Sequence, residues 1–173
     1  MNSNFNLPTD TGGTSGTPKH TKQNYTPAKR IQIVGLRIVR EASSILYPGR
    51  KIRKPQDAAE LFRQFIGECD REVFAILCLN TKNEPTAIHT VSTGTLNASL
   101  VHPRETFKLA ILANSAAIVA CHNHPSGEPD PSPQDIELTE RLRDSGQLLG
   151  IDLLDHIILG NGHFVSMKEK ALM

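Results

Sequence analysis

A short apolar run, Ala117–Cys121, leads into His122-Asn123-His124 and then into a loop of proline and glycine, Pro125 to Pro131. Ser132-Pro133-Gln134-Asp135 follows at once. This stretch constrains the fold more than any other. The apolar run reads as a buried strand. On an extended chain residues i and i+2 share a face, so a strand ending here presents both imidazoles to one side. Ser-Pro-x-Asp reads as a helix start, with Ser132 as N-cap, Pro133 at N1 and Asp135 at N3. A strand, a tight loop and a helix that starts beside the strand end would return the Asp135 carboxylate toward the two imidazoles. Two imidazoles and one carboxylate, with a position left for water, is the donor set of a catalytic zinc site.

Each residue also has a plainer explanation. Either histidine alone could be a hydrogen-bonded loop residue. A capping box by itself accounts for a serine and an aspartate at this spacing. The coincidence of the His pair with the returning Asp135 favours a metal site at His122, His124 and Asp135. Ser132 could cap the helix and also present its hydroxyl to a substrate. Asn123, between the histidines, points away from them and is expected to tie the strand end to the loop.

The onward spacing His-x-His, seven residues, Ser, two residues, Asp resembles the motif of the JAMM metalloproteases, also called MPN domains. His-Asn-His-Pro-Ser-Gly at 122–127 is similar to the RadC-type bacterial branch of that family. So are Gly94-Thr95-Leu96-Asn97, His102-Pro103-Arg104-Glu105 and Leu154-Asp155-His156-Ile157-Ile158. The resemblance spans roughly residues 51–170. It implies an α/β fold, a mixed sheet flanked by helices, and a zinc-dependent hydrolase acting on a peptide or isopeptide bond. It also implies a glutamate base at the mouth of the strand before the first hairpin, which here is Glu72, with Glu68 and Glu105 as rivals. In that scheme zinc lowers the pKa of its bound water to about 7. Glu72 takes the proton and passes it to the leaving amine, and Ser132 donates to the developing oxyanion. Cys121 adjoins His122 but points to the opposite strand face, which makes it a poor ligand and a poor nucleophile.

The rest of the chain reads as one domain behind a polar tail. Residues 1–28 hold few aliphatics and are expected to be disordered. Residues 29–54 form a basic strand and loop, with the strand at Ile31–Val39, and residues 55–173 form the metallohydrolase domain. Within it, helices are expected at Gln56–Ile66, Pro103–Asn114 and from Ser132 to about Gly150. Strands are expected at Glu72–Leu79, Thr86–Val91, Ala117–Cys121 and Ile151–Leu159, and Asn161-Gly162 turns the last hairpin into His163–Ser166. Asp155-His156 is expected to be buried with satisfied hydrogen bonds, with support of the metal ligands as the lesser reading.

Charge separates two further function classes. Lysine and arginine total 19 over the chain, and ten of them lie in residues 1–54 against only Asp10 and Glu41. A basic N-terminal third would suit nucleic acid, as the repair association of the RadC name suggests, with the metal fold as a binding module. It would equally suit a solvated tail and a charged strand edge. Longer family members carry a helix-hairpin-helix DNA-binding region, and none is expected within these 173 residues. A His-Asn-His nuclease is the weakest reading, since that motif spreads over a ββα unit. No apolar run is long enough to span a membrane, no secretory signal opens the chain, and three cysteines without disulfide spacing suit a reducing cytoplasm.

Overall fold

A computed structural model describes residues 29–41, 45–94 and 101–173. The expected disordered tail at 1–28 lies outside these residues, as do Thr95, Leu96 and Asn97. The chain divides into two compact units, residues 1–34 and 35–173, and every helix and strand described here belongs to the second.

Helix α1 (Pro55–Ile66) precedes a hairpin of β1 (Val73–Leu79) and β2 (Pro85–Thr93), followed by α2 (Pro103–Leu112) and β3 (Ala117–Asn123). Helix α3 (Pro133–Leu149) then leads to a second hairpin, β4 (Asp152–Leu159) and β5 (Phe164–Ser166). The strands form one sheet in the order β2-β1-β3-β4-β5. β3 pairs antiparallel with β1 and parallel with β4, so the sheet is mixed. A parallel pair needs a long crossover, and α3 supplies it.

Both faces of the sheet are covered. β1 is buried along its whole length, as its unbroken apolar sequence Val-Phe-Ala-Ile-Leu-Cys-Leu requires. On one face Ala75, Leu77, Leu79, Ala117, Val119 and Cys121 pack against Ala58, Ala59, Leu61 and Phe62 of α1. On the other, Phe74, Ile76, Ile118 and Ala120 pack against Phe107 and Ala110 of α2 and Leu138 and Leu142 of α3. Each large aliphatic or aromatic side chain taken from water contributes about 1.5–3 kcal/mol. These two clusters therefore fix the register of β3 to better than one residue, because a slip would exchange its faces.

The elements fall close to those expected, with one exception. Ile31–Val39 forms no strand. Its apolar side chains stand in solvent, with Ile31 at 92%, Ile33 at 102% and Leu36 at 80% exposure. β-branched residues favour a strand only through packing against neighbours, and no described strand pairs with this segment. No helix among the described residues is long and apolar enough to cross a membrane.

Candidate metal centre

β3 runs two residues past its expected end, so His122 and Asn123 are still strand. His122 is fully buried, at 0% exposure, and Phe74 stacks on its ring at 6.4 Å between centroids. His124 opens the loop and is pinned from both sides. Its N–H donates to the Leu159 carbonyl at 2.9 Å, and its own carbonyl accepts from Gly127 N–H at 2.9 Å. Gly127, at φ 90°, takes the left-handed turn that the loop requires. A side chain on Gly160 would strike Gly127 O and Pro129, so the loop and the β4–β5 hairpin approach as closely as backbone allows.

Asp135 serves in the helix cap through Oδ2, which also lies 3.7 Å from His124 Nε2. Oδ2 accepts from Ser132 N–H at 2.7 Å and from the Ser132 hydroxyl at 2.6 Å. Ser132 Oγ in turn accepts from Asp135 N–H at 3.2 Å, which completes the capping box. Oδ1 stands 3.3 Å from His122 Nε2. The carboxylate is buried, and it sits on the first turn of α3, where the helix dipole favours an anion.

The protons on both imidazoles follow from what surrounds them. Burial, with His124 as a second cause, holds His122 down to about 3. Burial likewise holds His156 well below the usual histidine range. Both rings are therefore neutral at neutral pH, with one N–H and one lone pair each. The Thr139 hydroxyl donates to the Asp135 carbonyl oxygen at 2.6 Å. Its oxygen is then the acceptor for His156 Nδ1–H at 2.6 Å. His156 Nε2 must accept, and His122 Nδ1–H donates to it at 2.8 Å. The lone pair of His122 is thereby assigned to Nε2. His124 Nδ1 lies 2.7 Å from the Glu128 carbonyl oxygen, which can only accept, so Nδ1 carries a proton and Nε2 is the nitrogen turned toward His122.

Three potential ligand atoms thus converge on one point. His122 Nε2 and His124 Nε2 are 3.0 Å apart, and Asp135 lies 3.3 Å from the first and 3.7 Å from the second. Lone pairs this close repel unless a cation lies among them. Tetrahedral zinc with ligands at about 2.0–2.1 Å separates its donors by about 3.3 Å. His122, His124 and Asp135 are accordingly a candidate metal triad, and their donor set fits such an ion.

Glu72 and Ser132 line the cleft that opens onto this triad, together with His124, Pro125, Ser126, Gln134 and Asp135. Glu105 does not. It lines a separate depression with Ile38, His89 and Val91, and its carboxylate pairs with Lys108, which holds it below the usual glutamate range. Glu68 is exposed in the turn after α1 and is absent from the cleft wall. Cys121 faces α1, in the cluster on the far side of the sheet, and burial pushes its thiol well up.

Asp155 and His156 are both buried with satisfied hydrogen bonds, as expected. His156 does more than fill space, because it is the hydrogen-bond acceptor that fixes His122. Asp155, read with it as one unit, serves a different end: it accepts from the Ser166 hydroxyl at 2.6 Å and from Lys168 N–H at 3.1 Å. The cause is a β-bulge. Ile118 pairs with Leu153 and Val119 with Asp155, so Leu154 is the extra residue. It reverses the alternation and turns His156 onto the His122 face. Asn123 departs from expectation, since it binds the approach to β1 rather than the loop. Thr139 was not singled out in sequence at all. Its signal was available, as a polar residue one helical turn from Asp135 on the face that also carries Leu138 and Leu142.

A mixed sheet covered by helices on both faces, with two histidines at a strand end and an aspartate on the next helix, is consistent with a JAB-like fold carrying a candidate metal site. The chain belongs to the RadC-like JAB domain family, whose sequence profile matches residues 52–172. It is similar to a UPF0758 protein of Desulfitobacterium hafniense, at 43% identity over 96% of this chain and 77% of that protein. It is also similar to UPF0758 proteins of Shouchella clausii, at 44% identity over 83% of this chain and 67% of the relative, and of Desulforudis audaxviator, at 54% identity over 70% and 53%.

Proposed function

We propose that the protein is a zinc-dependent hydrolase that cleaves an amide bond, peptide or isopeptide, in a polypeptide substrate. The observation that carries this reading is the convergence of two imidazole nitrogens and a buried carboxylate beside a cleft that a glutamate also lines. His122 Nε2, His124 Nε2 and Asp135 Oδ1 would hold the ion. Zinc held there supplies a Lewis acid that brings the pKa of a coordinated water to about 7.

The chain's own groups then divide the proton work. Glu72 accepts the proton at its carboxylate and later returns it to the departing amine nitrogen. Ser132 donates its hydroxyl to the carbonyl oxygen of the scissile amide as that oxygen gains charge. At rest this hydroxyl is spent on Asp135 Oδ2, which also holds the Ser132 N–H. The hydroxyl can therefore swing to the substrate while the backbone N–H keeps Asp135 oriented. Cys121 takes no part.

Two substitutions separate the roles. Glu72→Gln should retain zinc and lose hydrolysis of a fluorogenic peptide mixture by about 10²–10⁴-fold. Asp135→Asn should lose zinc, because a neutral oxygen replaces an anionic one. Wild-type turnover in Glu72→Gln at full zinc content would refute the assignment of the base.

A further inference from the structure

The residue between the two ligand histidines has both ends of its amide engaged on a neighbouring strand. Asn123 Oδ1 accepts from Val73 N–H at 2.8 Å, and Asn123 Nδ2 donates to the Arg71 carbonyl at 3.1 Å. These two groups flank Glu72 directly. Backbone pairing between β1 and β3 stops at Phe74 opposite His122. The Asn123 side chain therefore carries the pairing on where the two backbones no longer meet. A primary amide offers an acceptor and a donor in one plane, which this task requires. The Glu72 carbonyl is held independently, by Gly94 N–H at 2.8 Å. With Arg71, Glu72 and Val73 all anchored, alternation sends the Glu72 side chain to the face of Phe74, the residue stacked on His122.

We propose that Asn123 is the positioning residue for Glu72, clamping the backbone on either side of it so that one strand end sets both the metal ligands and the proton acceptor. The proposal rests on the reading of Glu72 as the base. Asn123 acts through Glu72 and touches neither ion nor substrate. Its value is geometric: a displacement of about 1 Å in a catalytic group is enough to cost it much of its effect.

The test uses the full chain loaded with Co2+, whose visible absorption changes as its coordinated water loses a proton. Four proteins are titrated: wild type, Glu72→Gln, Asn123→Ala and the double variant. The Glu72 anion disfavours a second negative charge on the coordinated water, so removing the carboxylate lowers the spectral midpoint, and displacing it should do the same. Asn123→Ala is expected to bind one Co2+ per chain and to lower the midpoint by roughly half a pH unit or more. The double variant should match Glu72→Gln alone, since the clamp has nothing left to position. A wild-type midpoint in Asn123→Ala, or additive shifts in the double variant, would overturn the proposal. A wild-type midpoint in Glu72→Gln would instead remove the reading of the base on which it rests. If Asn123→Ala does not load cobalt, Asn123→Ser, polar but too short to reach both groups, carries the same expectations. Loss of cobalt from both would assign Asn123 a purely structural role.

Discussion

The two faces of β3 begin alike and end differently. On one, Ala117, Val119 and Cys121 pack against α1 from end to end and finish in a thiol that burial has made inert. On the other, Ile118 and Ala120 pack against α2 and α3, and the next residue is His122. Both last residues are fully buried, at 0% exposure. What differs is the supply of polar partners. The α3 face brings Asp135 and His156 within reach of His122, with Thr139 behind His156, whereas among the described residues the Cys121 thiol hydrogen-bonds only the carbonyl of its neighbour, at 3.8 Å. Chemistry at the end of a strand therefore depends on which helix covers that face and where that helix starts. The comparison predicts that changes on the α3 face alter metal binding and proton linkage, and that changes on the α1 face alter stability alone.

The largest effect should come from removing the imidazoles. The pair His122→Ala and His124→Ala leaves Asp135 as the sole donor, and one carboxylate does not hold zinc against solvent. Elemental analysis of protein purified without chelator should find about one zinc per chain in the wild type and essentially none in the double variant. Undiminished zinc in that variant would move the metal centre elsewhere.

Next comes the linkage of folding to protons in the metal-free protein. His122 titrates near 3 when folded and near 6.5 when unfolded. The unfolded state therefore binds the proton first, and stability falls as pH falls from about 6.5 toward 3. Each pH unit in that window costs about 1.4 kcal/mol for one such histidine. His156, also held down by burial, adds in the same direction. Asp155 works the other way within the carboxylate range, because burial raises it. Denaturant unfolding at pH 6.5 and pH 4.5 should differ by about 2 kcal/mol from His122 alone, and equal stabilities would show that the imidazoles are not desolvated as described. Zinc should remove most of this loss above pH 5, because it occupies the lone pair that the proton would take.

A smaller, selective effect is expected at Thr139. Thr139→Val keeps the shape and removes the hydroxyl that accepts from His156 and donates to Asp135. The tautomer of His122 is then no longer dictated from behind. Loss of such a supporting hydrogen bond typically weakens metal binding about 10–100-fold. Competition with a chromogenic chelator would measure it, and an unchanged affinity would mean that His122 needs no such orientation.

These partners also mark where sequence reading stopped. The strand end, the loop and the helix start are local events, written in His-x-His, in Pro and Gly, and in Ser-Pro-x-Asp, so the triad's residues could be named before the fold was known. Most of the sheet and all three helices were legible for the same reason, since alternation and helical spacing are local patterns. The segment Ile31–Val39 has the residue types of a strand, but a strand also needs a neighbour, and its own residues do not encode one. His156 depends on an extra residue, Leu154, inserted into β4 opposite the Ile118–Val119 step. Strict alternation from Leu153 places His156 on the α1 face, and only the register against β3 reveals the reversal. Asn123 could be assigned a direction but not a target, because its partners lie some fifty residues earlier.

The smallest effect tests the other face. Cys121 is the immediate neighbour of His122 in sequence, yet the sheet stands between its side chain and the metal centre. Cys121→Ala removes one sulfur from the cluster formed with α1, a loss of about one methylene's worth of burial, or roughly 1 kcal/mol. The thermal midpoint should fall by a few degrees at most. Zinc affinity should stay within about twofold of wild type, since the backbone course of β3 is set by pairing on both sides and not by this side chain. In the folded wild type, Cys121 should also resist alkylation at neutral pH, because its thiol is buried and held in the protonated form. A metal affinity that drops with Cys121→Ala would show that the α1 face transmits strain through the strand to His122. The two faces would then be one mechanical unit rather than two insulated ones.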